Sequence, residues 1–256
     1  MPVVSGHTQV IPSVFHGAAS AQKAYLDGEQ AWPHPWTPTD LGAALLAWHD
    51  PSNIGTLTDL GGGVISQVDD LSGNSNHLTQ TNGVLRAVSG VRTIGGLNVL
   101  DYGGVGHRMG TPTMTVVQPF TWAVVFQFDA VGTGTQRQVL TRANSGRMTG
   151  ALNTDVWAHN MGTQSASTTP IDTSPHFLLS VFNGASSELF LDGRLIKTGN
   201  AGTDGLNGLV MWVGARQDGA GPVDGGIGED MLIDVALGGS DLVNLHAYLS
   251  AKWSIR

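Results

Sequence analysis

The chain has no cysteine among its 256 residues, so neither a disulfide framework nor a thiolate metal site underlies its fold. Charge is scarce too. Only 12% of residues are charged, and 12 basic against 20 acidic residues leave a formal charge of −8. That balance excludes a basic groove for nucleic acid and an attraction to an anionic membrane surface. No stretch approaches the roughly 20 apolar residues that a spanning helix needs. The segment Met1-Pro-Val-Val-Ser-Gly-His-Thr8 lacks a basic region followed by an apolar one, so no general secretion signal is expected and the chain is expected to be made in the cytoplasm. Several catalytic patterns are missing as well. There is no His-Glu-x-x-His zinc pair, no Gly-x-Ser-x-Gly elbow, and Gly104–Gly110 has one residue too many for a dinucleotide fingerprint.

Glycine, by contrast, is abundant at 36 residues. Asp-Gly or Asn-Gly pairs begin at Asp27, Asn82, Asn183, Asp192, Asp204, Asn207, Asp218 and Asp224. Such pairs tolerate the positive φ angles of tight hairpin turns. Strand-like runs lie between them. Phe120, Trp122, Val124, Phe126 and Phe128 alternate onto one face of a strand. Glu188 to Lys197 reads as a hairpin turning at Asp192-Gly193, and Leu209 to Val213 as a short apolar strand. Met231 to Leu237 is a further strand. Ser240 is then the expected N-cap of a helix whose apolar face is Leu242, Leu245, Leu249 and Trp253. Leu41 to His49 also looks helical. The pattern calls for an all-β fold of two packed antiparallel sheets, with a short C-terminal helix.

The first residues differ. Val10–Phe15, Gln22–Leu26 and Glu29–Trp32 are short strand candidates, and Trp32-Pro-His-Pro-Trp-Thr-Pro38 forms a stiff, extended linker. The expected organisation is a small N-terminal β arm with its linker over 1–38, and a main domain over 39–256.

Five stretches, in order, carry a resemblance. They are Ala47-Trp-His-Asp50, Val68-Asp-Asp-Leu-Ser-Gly-Asn-Ser-Asn-His-Leu78, Asn98-Val-Leu-Asp-Tyr-Gly-Gly104, the paired Phe177–Gly184 and Glu188–Gly193 runs, and Gly225-Gly-Ile-Gly-Glu229 with Tyr248-Leu-Ser-Ala-Lys-Trp253. Together they resemble laminin-G-like, concanavalin-A-like jelly-roll domains. Val68 stands where tryptophan is usual in that family, which alters the packing there. The resemblance implies a jelly-roll sandwich used mainly for binding, with Glu229 as a structural residue. Lys23-Ala-Tyr-Leu-Asp-Gly-Glu-Gln-Ala-Trp-Pro33 resembles a short β module at the start of many bacteriophage virion and tail proteins. It implies an arm that docks on other virion proteins through Tyr25, Trp32 and Trp36, and a homotrimer is compatible with that assembly.

Four site readings follow. Trp157, His159 and Asn160, with Arg216 and Asp218, lie in polar, turn-rich stretches and are the candidate glycan contacts, although Trp157 equally suits the core. Asp69, Asp70, Asn74 and Asn76 have the oxygen ligands of a Ca²⁺ loop, but their spacing is not that of an EF-hand and favours side-chain caps on a turn. No other cofactor is expected. Asp230 and Asp234 share a strand face, yet this is not the opposed carboxylate pair of a glycosidase, so no catalysis is expected. The expected function is therefore a non-enzymatic virion adhesion protein of tail-fibre or receptor-binding type that presents a glycan-binding sandwich. A head decoration or head-fibre protein, a bacterial surface glycan-binding module and a carbohydrate-active enzyme are the alternatives.

Overall fold

Strict alternation in the Phe120–Phe128 strand organises the core. Phe120, Trp122, Val124, Phe126 and Phe128 all join the main buried cluster. The computed structural model describes residues 24–26, 29–31 and 35–256 apart from 133, 144 and 145. It divides into two units, Met1–Trp36 and Thr37–Arg256. In the first, Ala24–Leu26 pairs antiparallel with Glu29–Ala31. The expected Val10–Phe15 strand, the Asp27-Gly28 turn and Trp32 lie outside the described residues, as does the side chain of Tyr25.

The second unit is a sandwich of two antiparallel sheets. Seven strands make one sheet, in the order Arg194–Gly199, Ser187–Leu191, His176–Phe182, Phe120–Phe128, Asp224–Ile233 and Leu45–His49, with Leu100–Gly103 also paired to Asp224–Ile233. Nine strands make the other. Its order is Gln164–Pro170, Val156–Asn160, Arg147–Ala151, Arg137–Arg142, Leu209–Val213, Met109–Met114, Leu78–Thr79, Ile65–Val68 and Leu57–Asp59. Aromatic contacts join the two inner faces: Phe126 meets the Trp157 ring at 5.5 Å and Phe128 stacks on it at 5.8 Å.

Two local expectations need correction. Leu41–His49 is not a helix. Pro38–Ala44 forms a short 3₁₀ turn, and Leu45–His49 is a strand whose Leu45, Ala47 and His49 are buried. Pairing with Asp224–Ile233 overrides local propensity there. The C-terminal helix spans Gly239–Trp253 and is capped by Gly238 rather than Ser240. Leu237 is buried and its amide bonds to Thr121 Oγ1 at 3.0 Å, which fixes where the chain must turn. Of the seven glycine pairs among the described residues, Asp192-Gly193 and Asn207-Gly208 place both residues at positive φ.

The helix covers the outer face of the seven-stranded sheet, where Leu245, Leu249 and Trp253 are buried. Glu229 points toward it from the last strand and is 1% exposed. Its Oε1 accepts from Trp48 Nε1 at 2.5 Å and Tyr248 Oη at 2.8 Å. Its Oε2 accepts from Lys252 Nζ at 2.9 Å and Trp253 Nε1 at 2.8 Å. Burial pushes the carboxyl pKa up, and the Lys252 charge opposes it. Lys252 also reaches Asp50 at 2.6 Å. A Cβ on Gly228 would lie 2.8 Å from the Trp253 ring, so only glycine leaves room for the indole. Glu229→Ala should lower stability by roughly 3–5 kcal/mol, because it removes the buried acceptor of two indole donors and one of the two carboxylates that hold Lys252. Urea denaturation measures this, and a loss below about 1 kcal/mol would contradict the structural role.

Candidate functional site

Alternation along Val156–Asn160 separates the residues expected to form one site. Trp157 and His159 are both 0% exposed and face the core. Their neighbour Asn160 stays half-buried at the strand end, where its Oδ1 accepts from Gly162 N at 2.8 Å. The expectation that Trp157 and His159 offer faces to a ligand is therefore corrected. Hydrophobic burial of the large rings decides their direction. Arg216 and Asp218 instead pair with each other on a loop, and the guanidinium holds the Asp218 carboxyl down to about 2. Trp36, the third docking residue, is half-buried.

The Asp69–Asn76 loop is a staple. Asp70 Oδ1 accepts from Trp48 N and Ser72 N, both at 2.9 Å. Its Oδ2 accepts from Ser72 Oγ at 2.8 Å and Asn76 N at 2.9 Å. Burial raises the Asp70 pKa, but the backbone donors of Ser72 and Trp48 outweigh it and hold the carboxyl below its usual range. Asn74 and Asn76 donate to the carbonyls of Leu45 and Leu46 at 2.9 and 2.8 Å. Both Asp70 oxygens thus accept from N–H and O–H donors, the turn-capping arrangement that the spacing favours. Among the described residues no group of three or more acidic or histidine side chains is arranged to hold a metal. Asp230 lies in the core, 2.8 Å from His49 Nδ1, while Asp234 is exposed beyond the strand end.

An open cleft of ≈ 290 Å³ lies where the loop after Asn160 meets the loop before Leu209. Its walls are Arg147 and Asp204, with Thr163, Asn200 and Thr203 around the mouth. Asp204 Oδ2 accepts from Arg147 Nε at 2.7 Å and stands 3.2 Å from Arg142 Nη1. Both Arg147 and Asp204 remain 35% exposed, so the pair is reachable from solvent. Backbone bonds stitch the two loops: Asp204 N to Met161 O at 2.8 Å and Thr163 N to Ala201 O at 3.1 Å. Gln118 ties the second loop down by donating to the Gly202 and Asp204 carbonyls at 3.0 and 2.8 Å. Gly202, at φ +94, comes so close to Met161 O that a Cβ would sit 2.2 Å away. The result is a polar recess whose walls are tied together by backbone and side-chain hydrogen bonds. Sequence reasoning missed Arg147, Asn200 and Asp204. Only the Asp204-Gly205 pair marked that loop, and it marked a turn.

No protein-family model and no curated protein matches the chain. Solved structures do, at identities that show the fold alone. Domain 4 of the extracellular GH43 arabinanase AbnA of Geobacillus stearothermophilus, in complex with arabinotriose, is 13% identical with a TM-score of 0.57. The match covers 79% of this chain and 98% of that one. Trypanosoma rangeli sialidase is 16% identical with a TM-score of 0.56 over 82% of this chain, which spans 33% of the sialidase. The binding domain of Paraclostridial Mosquitocidal Protein 1 matches at 13% identity and a TM-score of 0.55, over 82% of this chain and 53% of that one. The chain is an antiparallel β-sandwich of this jelly-roll kind.

The buried His159 makes a sharp pH prediction. Burial lowers its pKa from 6.5 to about 4, so the folded state keeps it neutral. Its contribution is complete above pH 6.5 and is lost as the pH falls toward 4, because the unfolded chain takes up the proton first. The stability difference between the native protein and His159→Leu should change by roughly 2–3 kcal/mol between pH 7 and 4.5, with the native protein losing more. Paired urea titrations check this. Parallel pH curves would contradict it.

Proposed function

We propose that the sandwich binds a glycan in the Arg147–Asp204 cleft without cleaving it. The carrying observation is the cleft itself, in which a carboxylate anchored by two guanidinium groups is set among threonine and asparagine side chains. Such groups pair with vicinal hydroxyls, and a pre-formed recess avoids the cost of ordering loops on binding. Glycosidic cleavage ordinarily needs two carboxylates flanking the bond. Asp204 is the sole acidic residue lining this cleft. The arabinotriose complex of a similarly folded domain supports a glycan as the ligand class.

We infer further that the N-terminal arm carries this domain on a bacteriophage particle as a tail-fibre or receptor-binding protein, facing a host or environmental glycan. This part rests on the likeness of Lys23–Pro33 to virion β modules. Virion proteins are the arm's partners in this reading, and a trimer is the natural assembly for a fibre.

Asp204→Ala should weaken glycan binding at least tenfold; because it also removes a carboxylate from the mostly buried Arg142 guanidinium, the two proteins are compared where urea titration shows both fully folded. A glycan array followed by calorimetric titration of the best ligand checks this. Equal affinity in the variant would contradict the cleft. Immunogold labelling of lysates of the source culture with an antibody to residues 40–256 should decorate phage particles. Gold confined to cell envelopes would overturn the virion reading and leave the glycan-binding one.

A further inference from the structure

The outer face of the nine-stranded sheet carries a second feature. Strand register sets Trp212 opposite Gly110, Gly110 opposite Thr79, Thr79 opposite Gln67 and Gln67 opposite Thr58. Residues directly opposite one another share a sheet face. Their chain neighbours Val213, Met109, Leu78 and Val68 belong to the core, so this row looks outward. A Cβ on Gly110 would lie 2.9 Å from Cζ3 of Trp212. The bare glycine therefore lets the indole lie down on the sheet. Arg108 lies over the ring, its guanidinium carbon 5.8 Å from the centroid, so only part of the indole is open to a ligand. Trp212 and Gln67 are half-buried, and Thr79 and Thr58 are exposed.

Toward the opposite edge the same row is closed. Thr141 and Met148 are 0% exposed, and Gln136 Nε2 rests on Met148 Sδ at 3.2 Å. The open part runs from Trp212 to the edge strand Leu57–Asp59. With strands about 4.8 Å apart, its four steps span about 19 Å, the length of several sugar rings. No member of the row is charged. Two charges of opposite sign flank it, Arg108, bonded to the Gly106 carbonyl at 2.8 Å, and Asp69, bonded to Gln67 Nε2 at 2.7 Å, so the face has no excess of either sign. An indole followed by hydroxyl and amide groups suits an uncharged chain that offers a C–H face and then hydroxyls. It suits neither an anionic polymer nor an apolar partner.

We propose that a neutral polysaccharide lies across these strands with one ring on Trp212, as a subsite separate from the Arg147–Asp204 cleft. This rests on the domain's being a glycan binder but not on the cleft. The test is affinity electrophoresis of the full chain in gels containing arabinan, xylan or dextran. At least one of them should retard the native protein. Trp212→Ala and Thr79→Lys should each weaken that retardation at least tenfold, while Asp204→Ala retains part of it. Thr79 is exposed, so Thr79→Lys decides the matter if Trp212→Ala fails to fold. Unchanged retardation of Thr79→Lys would overturn the subsite, whatever Asp204→Ala does. So would free migration of the native protein in all three gels, and binding of a small glycan in calorimetry would then leave the cleft standing alone.

Discussion

One buried carboxylate fastens the C-terminal helix to the seven-stranded sheet. Glu229 accepts four hydrogen bonds, one from the Leu45–His49 strand and three from the C-terminal helix. It joins residues as far apart as Trp48, 181 positions away in sequence. A charge in that setting is costly unless every lone pair is matched. The four donors, and Lys252 bridging to Asp50, meet the condition together. The glycine before Glu229 belongs to the same arrangement, because Trp253 needs the space a side chain at Gly228 would fill. The Gly225–Glu229 strand and the Tyr248–Trp253 helix end thus form a single structural unit.

Closure of that face bears on where the proposed glycan would bind. The helix shields the seven-stranded sheet, and core packing takes up Trp157, His159 and Asp230. Among the described residues, the two proposed surfaces are the cleft where Asp204 meets the loops after Asn160 and before Leu209, and the open half of the nine-stranded sheet around Trp212. They differ in character. The cleft offers charged, rigidly held groups in a small volume, whereas the sheet offers an uncharged, extended surface. Small end groups and long chains would engage them differently, and their simultaneous use would raise avidity.

Much of the architecture was legible in the sequence because burial and periodicity coincide. The alternation in Phe120–Phe128, the Asp192-Gly193 hairpin and the apolar stripe Leu245, Leu249 and Trp253 each express one physical rule directly. Leu45–His49 was misread because its strand state depends on pairing with residues nearly two hundred positions away. The sites were far less legible. A strand tryptophan such as Trp157 looks the same in sequence whether its ring faces core or solvent, and only register tells Trp212 from it. Arg147 and Asp204 are 57 residues apart and meet only once both sheets are in place. Asp70 resembles a calcium ligand until its four donors are counted.

The most direct test of the glycan-binding account is a titration of the ¹⁵N-labelled chain with arabinotriose and with a mixed oligosaccharide pool, followed by amide resonances. The account predicts saturable shifts confined to the 160–163 and 200–204 loops and to the face around Trp212, with the helix amides still. Shifts elsewhere, or none with any glycan, would contradict it.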